Sequence, residues 1–542
     1  MYKKQNLLVK IYPLYEHPQI NTLKELLLFC TENYKSKTAF SYTKKKELIS
    51  VSYETFKNDV DCFGTYLFRE NFRDCKIAVL GENSYNWILT HFAVTCGNNV
   101  IVPIDKELEV ESVKELLVDS NSVLLVYSDI YSDIAEELKE KLSQVTFLNM
   151  KKIPDCISQG AALIKNGNRE FFEITPSKDS LASIVYTSGT TGKSKGVMLT
   201  HGNFATDTVA TCQNALIEGA TVLLLPLHHT FGLVAGVFSV LLYGLTVHIN
   251  QSLKRIQDDF KIAKPQHLSV VPLIVETLYN KIWTTVKAQN KDKLLKTLIT
   301  VSNVLLKLKI DLRKQLFKSV IESFGGNLEL IISGGANIER KYIDGFNSLG
   351  VTVINGYGIT ECSPVVAVNR NKFNIIGSVG LPLICNEVKI ADDGEILVKG
   401  SNVMQGYWNS EEETKKAFTS DGYFKTGDIG FIDEFGALHI TGRIKNLIIL
   451  SNGENIPAEA IESEIYKISY VKEVICYGKN NLIVAEVFLN EEVENAKELI
   501  HSDIKDLNKN LPITRNIGEI IIRGTEFEKT TTKKIKRTQG VQ

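Results

Sequence analysis

Six consecutive residues, Thr187-Ser188-Gly189-Thr190-Thr191-Gly192, are hydroxyl side chains or glycine, and lysines follow at 193 and 195. Glycine lets the backbone come close to a ligand, successive amide groups form an anion-binding nest, and lysine adds positive charge. The chemistry this stretch suits is a grip on a polyphosphate. It is not a Walker A loop, because G-x-x-x-x-G-K-[ST] needs a glycine five residues before Gly192 and that position is Thr187. A mobile surface loop has the same composition. The flanks, residues 182–186 and 196–199, are strand-like, so the stretch joins two ordered segments and not two domains.

Such a loop needs a scaffold, and the chain is large enough to supply one. Its 542 residues, 44% hydrophobic, can bury more than one core, and at ~150 residues each about three or four units are expected. A net charge of −1 gives no global field to draw nucleic acid. Nine cysteines without a C-x-x-C pair suggest reduced thiols in the cytosol, not a zinc or disulfide framework. The first residues have no signal-peptide pattern. The longest nearly apolar stretch, residues 232–247, is shorter than the ~20 residues of a membrane span and reads as a buried helix and strand.

From residue 76 to 150 short apolar strands (KIAVL, NVIVP, SVLLVY, VTFLNM) alternate with helix-length periodic segments, which indicates a parallel α/β layer. The alternation resumes after the glycine loop with TVLLLP, LTVHI, LSVVP, LELIISGG and VTVINGYG, predicting a second α/β layer. After Glu361 the strands become short and are joined by turns, as in EVKIADDGEILVKG, which reads as a small antiparallel unit. From about Arg443 the tail has its own strand and helix set. The expected organisation is therefore a large α/β domain over residues 1–442 and a small α+β domain over 443–542. Residues 281–318 carry ten lysines or arginines against Asp292 and Asp311. Within them Leu294, Leu298, Val301, Leu305, Leu308 and Leu312 recur at spacings of four and three, one helical stripe that would pack on the core or lie on an anionic bilayer.

Further stretches follow in a fixed order: LPLHHTFG from Leu225, SGGA from Ser333, NGYGITECSP from Asn355, YFKTGDIG from Tyr423, TGRIKNLIILSNGENIPAEAIE from Thr441 and KTTTKKIKR from Lys529. Together with YTSGTTGKSKG they resemble, over essentially the whole chain, the adenylate-forming superfamily of acyl-CoA synthetases, peptide-synthetase adenylation domains and firefly luciferase. The resemblance implies a mobile C-terminal domain and the following roles. Thr187, Ser188, Gly189, Thr190, Thr191, Gly192 and Lys193 would wrap the β- and γ-phosphates of ATP. Tyr357 would stack on adenine and Asn355 would meet its exocyclic amine, with Gly356, Gly358 and the Gly334-Gly335-Ala336 backbone around them. Thr360 would contact the α-phosphate, and Glu361, with Thr190, would hold Mg²⁺, a hard ion that takes carboxylate and phosphate oxygens. Asp428 and Arg443 would hold the ribose, and Lys445 would be the hinge between the domains.

By the same resemblance Lys534 is the adenylation lysine. A carboxylate attacking an anionic α-phosphate needs a cation bridging the two. The family motif has Pro and Gly where this chain has Glu528 and Lys533, so Lys533 and Lys536 compete for the role, and register against Thr530 and Arg537 selects Lys534. His229 would lie beside the substrate carboxylate. Thr230 stands near where amino-acid-activating members place an aspartate, and an uncharged hydroxyl cannot pair an ammonium group. The implied activity is AMP-forming: carboxylate plus ATP gives an acyl-adenylate and pyrophosphate, then a thiol gives thioester and AMP. A fatty acid is the favoured substrate and coenzyme A the acceptor, with Gly453 permitting the pantetheine to approach. The alternatives are an acyl-AMP ligase loading an acyl carrier protein and, more remotely, a nucleotide-binding module without turnover. A cytoplasmic enzyme, peripheral to the membrane if the basic stripe is used, is expected.

Overall fold

The computed structural model describes residues 13–188, 194–450, 455–490, 493, 495–512, 515–529, 535 and 537. It is an α/β protein with several sheets and two compact units. One unit comprises Met1–Glu387, Val398–Phe424 and Phe435–Ala437, and the other Val388–Leu397, Lys425–Glu434 and Leu438–Gln542.

The first unit is built on a seven-stranded sheet in the order Gly406–Tyr407, Ser194–Thr200, Leu181–Ser188, Val100–Ile104, Lys76–Leu80, Ser122–Tyr127, Thr146–Asn149. Its parallel strands are the apolar runs expected of a sheet covered on both faces. The helices between them start at side-chain caps, such as Ser84 accepting from the Trp87 amide. Ala78, Val102, Leu125 and Leu138, all at 0% exposure, form part of its core. Leucine-sized side chains buried to this degree each contribute roughly 1.5–3 kcal/mol.

The strands expected to form one second layer divide between two sheets. His267–Val270, Leu330–Ser333 and Thr352–Gly358 run parallel, and Val365–Val368 and Leu381–Pro382 extend this sheet. Thr221–Leu223 and Val247–Ile249 instead join Thr38–Lys44 and Glu47–Ser52, a hairpin near the start of the chain. Hydrogen bonding of Val247 opposite both Phe40 and Thr221 makes that assignment, a long-range pairing that no local pattern encodes.

The basic segment also departs from expectation. It folds into helices Pro272–Ala288 and Asp292–Lys307, and the second stops before the stripe ends, where Lys309 takes a positive φ of 62°. Leu308 and Leu312 therefore lie beyond the helix. Its core face is Leu295 with Leu298, Ile299 and the buried Ser302, whereas Leu294, Val301, Val304 and Leu308 are exposed.

The second unit carries a three-stranded sheet, Val471–Lys479, Leu482–Leu489 and Ile517–Arg523, covered by helices Ala458–Ile465 and Ala496–Asn510 around Ile461, Ile465, Val487 and Ile500.

Candidate active site

Strand Leu181–Ser188 pairs antiparallel with Ser194–Thr200, ending at Ser188 opposite Ser194. Thr187 is thus at the tip of a hairpin. Gly189, Thr190, Thr191, Gly192 and Lys193, the centre of the expected phosphate loop, lie outside the described residues, as do the Ser188 side chain, Gly453 and Lys534. Lys195, at the base, pairs with Glu413 at 2.6 Å and lies 5.1 Å from the Tyr407 ring centre.

The strand Thr352–Gly358 carries Asn355, Gly356, Tyr357 and Gly358, and its register sets Asn355 opposite Ser333, the residue before Gly334-Gly335-Ala336. Gly335 has a φ of 83°, a conformation that favours glycine. At Gly358 an added Cβ would lie 2.2 Å from the Pro364 carbonyl, so the chain can turn into Thr360-Glu361 there only without a side chain. Asn355 is 7% exposed and its Oδ1 accepts no hydrogen bond among the described residues. A buried acceptor without a donor costs about 1–3 kcal/mol, and an exocyclic amine is a group that would satisfy it.

Thr360 and Glu361 sit in a short 3₁₀ turn, Thr360–Cys362, held from several directions. The Ile359 amide donates to Pro364 O at 2.9 Å, and the Met404 amide to Glu361 O at 2.8 Å. Tyr407 Oη donates to Glu361 Oε1 at 2.9 Å. Behind the turn, the fully buried Asp207 accepts from the Val365 amide at 3.2 Å and from Asn402 Nδ2 at 2.9 Å. Asn203, one helical turn earlier, donates to Ser401 O and Val403 O. The helix His201–Asn214, which follows the phosphate-loop hairpin directly, thereby clamps both segments flanking Glu361. Sequence reading missed Asn203, Asp207, Asn402 and Tyr407. The signal was the spacing of Asn203, Asp207 and Thr211 on one helical face, where apolar residues would be expected.

His229 caps the helix that begins at Thr230. Its neighbour His228 is buried, with Nε2 3.3 Å from Asp105 Oδ1, and burial, with His229 and Lys106 nearby, holds its pKa well below the usual histidine value. Donor atoms of Asp105, His228 and His229 lie within 4.8 Å of one another. This nitrogen-rich set does not suit Mg²⁺, which prefers oxygen; the Glu361 carboxylate does.

A largely apolar cavity opens beside these strands, with about 680 Å³ of space not filled by atoms, open solvent at its mouth included. Gly334, Gly335, Gly356, Tyr357 and Gly358 line it, and so do Phe231, Ala235, Ser239 and Tyr243. The residues expected around adenine thus also form a wall of an apolar slot.

In the second unit, Asp428 is opposite Arg443 in an antiparallel pair, and Arg443 Nε lies 2.9 Å from Asp428 Oδ1. Asp428 is buried while Arg443 is half exposed. Lys445 follows in the turn Ile444–Asn446, its pKa lowered by burial and then by Arg443 and Arg537. Of the described residues nearest 534 in sequence, Lys529 pairs with Glu473 at 2.5 Å and bridges to Ile535, and Arg537 pairs with the buried Glu462 through two bonds of 2.7 and 2.6 Å.

Comparison with known proteins gives the family of the chain. The family described as AMP-binding enzyme matches residues 30–408. Long-chain-fatty-acid–CoA ligase FadD15 of Mycobacterium bovis is 29% identical over 429 residues, covering 74% of this chain and 71% of that protein. The Arabidopsis thaliana long-chain-fatty-acid–[acyl-carrier-protein] ligase AEE15 is 26% identical, over 86% of this chain and 78% of its own. O-succinylbenzoate coenzyme A synthetase from Bacillus subtilis, in complex with ATP and magnesium ion, shares the fold with a TM-score of 0.74 at 23% identity, over 94% of this chain and 98% of that one. The chain belongs to the AMP-binding enzymes, the adenylate-forming superfamily.

Proposed function

We propose that the protein is an acid–thiol ligase that activates a medium- or long-chain fatty acid with ATP and transfers the acyl group to coenzyme A. The observation that carries this reading is the shared wall: Gly334, Gly335, Tyr357 and Gly358 line an apolar slot and belong to the segments with the unpartnered acceptor of Asn355. One ligand fits both features, an acyl chain joined through a carboxyl to an adenosine phosphate. Relatives named as fatty-acid ligases support the acid class.

In the first half-reaction a carboxylate oxygen attacks the α-phosphorus and pyrophosphate leaves. In the second the thiol sulfur attacks the acyl carbon, AMP leaves with the electron pair, and the thiol proton passes to solvent. Asn355 accepts from the adenine amine, Tyr357 covers the ring, and Thr360 donates to the α-phosphate. Asp428 accepts from the ribose hydroxyls while Arg443 orients it. Thr187 and Ser188 with residues 189–193 hold the β- and γ-phosphates, and His229 stands by the carboxylate. Glu361, with Thr190, would hold Mg²⁺, whose charge neutralises the phosphate oxygens during the displacement. Lys534 bridges carboxylate and α-phosphate, Lys445 is the pivot of the C-terminal domain, taken as residues 443–542, and Gly453 leaves room for pantetheine.

We also read the exposed apolar residues Leu294, Val301, Val304 and Leu308, set among Lys291, Lys296, Lys307 and Lys309, as a peripheral contact with an anionic bilayer. Among the described residues no helix is long and apolar enough to cross a membrane. Neutralising the four lysines should abolish salt-sensitive vesicle binding and leave turnover of a soluble acid intact.

The test is a panel of straight-chain, branched and aromatic acids with ATP and Mg²⁺, offered coenzyme A or acyl carrier protein and read as AMP release. Straight-chain acids with coenzyme A should give the fastest release. Preference for acetate or an aromatic acid would overturn the acyl assignment, and release with carrier protein alone would move the acceptor to the relative AEE15's class.

A further inference from the structure

The wall of the acyl slot has a four-residue repeat. Phe231, Ala235, Ser239 and Tyr243 all line it and lie on one continuous helical stretch: α over Thr230–Leu233, π over Val234–Phe238, α again over Ser239–Leu242, with Tyr243 as the C-cap. In an α-helix of 3.6 residues per turn, each step of four overshoots a full turn by about 40°, so three steps would rotate the last residue about 120° from the first. A π turn, bonded i→i+5, is wider and a step of four falls short of it. With both kinds of turn in one helix the errors oppose, and a repeat of four stays on one line. The π segment is what brings Tyr243 into the same cavity as Phe231.

The two ends of the row differ. Phe231 lies against the adenine-side backbone: a Cβ on Gly334 would meet its ring at 3.0 Å. Tyr243 is twelve residues on, roughly 18 Å along a helix at about 1.5 Å per residue and somewhat less through the π turn. Its hydroxyl shares one proton between two carbonyls, Cys212 O at 2.8 Å and Ala215 O at 3.2 Å, and its ring meets that of His17 edge-on at 4.5 Å. A ring pinned by two carbonyls and flanked by a third group cannot swing aside. Between the large ends stand the two small residues of the row, Ala235 at 7% and Ser239 at 4% exposure.

We propose that Tyr243 is the residue that limits acyl length, the floor against which the ω-end of the chain stops, and that Ala235 and Ser239 are small so that the chain can reach it. This rests on the fatty-acid reading above. A pocket discriminates a single methylene by about 10–200-fold, so the floor is measurable.

The experiment is kcat/KM over straight-chain saturated acids from butyrate to stearate, for the wild type, Tyr243→Ala, Tyr243→Phe and Ser239→Phe. Tyr243→Ala should move the optimum to longer acids, changing the long-to-short ratio by about tenfold or more. Ser239→Phe should move it to shorter acids, and Tyr243→Phe, which keeps the ring, should keep the wild-type profile. The KM for ATP should stay constant throughout, which a general loss of structure would not allow. If Tyr243→Ala does not fold, the opposite shift in Ser239→Phe, with an unchanged profile in Tyr243→Phe, still decides. An optimum unmoved in both Tyr243→Ala and Ser239→Phe overturns the floor while the ligase reading stands. A wild type that activates no straight-chain acid removes the fatty-acid reading itself.

Discussion

The two compact units differ in the polar groups that lie nearest the expected chemistry. Around the slot of the first, Asn355 Oδ1, Ser239 Oγ and Ser333 Oγ are buried with no hydrogen-bond partner among the described residues. In the second, the charged groups near the expected chemistry are already closed on one another: Asp428 with Arg443, Glu462 with Arg537, Glu473 with Lys529. The first unit presents an acceptor unpaired among the described residues, Asn355 Oδ1, that a base amine would satisfy, beside an apolar wall that suits a hydrocarbon chain. In the second, Lys529 and Arg537 are held in ion pairs and stand, in the sequence, on either side of Lys534.

The largest effect should come from that lysine. Lys534→Ala should lower the adenylation half-reaction by roughly 10²–10³ or more, the scale of losing one charge-stabilising group, while thiolysis of a supplied acyl-adenylate is largely kept and Lys533→Ala does far less. Equal loss in both halves would return Lys534 to a structural role.

Next in size is Arg537. Arg537→Ala leaves Glu462, 6% exposed, without its guanidinium, and breaking a buried pair from one side costs about 3–5 kcal/mol. Urea unfolding should show the transition of the second unit moved to lower denaturant and that of the first unmoved. Arg537→Lys should recover little, since the bidentate fork is lost.

Acid should separate the units too. In the first unit burial lowers His91 to about 3 and His201 and His267 to about 4, and holds His228 well below its usual range. Each stays neutral when folded and takes a proton when unfolded. Their contribution is present above the unfolded value of about 6.5 and is lost as pH falls from there through the folded values, by about 1.4 kcal/mol per pH unit for each. In the second unit burial raises Glu462, against the opposing pull of Arg537, and a raised carboxyl loses stability as pH rises, not as it falls. Between pH 6 and pH 4 these histidines should therefore lower the unfolding temperature of the first unit in calorimetry, opposed in part by its own raised carboxyls Asp59, Asp61 and Asp207, while the second unit changes less. The reverse order would contradict the contrast between the units.

The smallest effect is on positioning. Tyr407→Phe removes one hydrogen bond to the Glu361 carboxylate, worth roughly 1.5–3 kcal/mol for a charged acceptor. It should raise the Mg²⁺ concentration needed for half-maximal rate several-fold without changing acid selectivity. A change in acid preference would mean that Tyr407 acts on the slot.

What the sequence made legible follows from the range of each interaction. The parallel strands, the two strands that flank the phosphate loop and the strands of the tail are written in local apolar runs, and all are present, while their pairing into a hairpin and a three-stranded sheet is seen only in the structure. The partners of Asp207 were not legible, because Val365 and Asn402 lie 158 and 195 residues away. The sheet that takes up Thr221–Leu223 was missed for the same reason. Which face of the basic helix meets the core was left open, since Leu294 and Leu295 are equally apolar and only packing distinguishes the exposed one from the buried one. The register of Phe231, Ala235, Ser239 and Tyr243 needs a π turn, which no periodicity argument based on 3.6 residues would have aligned.

The most direct measurement is acid-dependent exchange of pyrophosphate into ATP by the wild-type protein, with Mg²⁺ and no thiol present. Exchange that appears with medium- or long-chain straight acids and is near background with acetate is the predicted result. No exchange with any straight-chain acid, at concentrations where ATP binding is saturated, would contradict the claim that one wall serves both the nucleotide and the acyl chain.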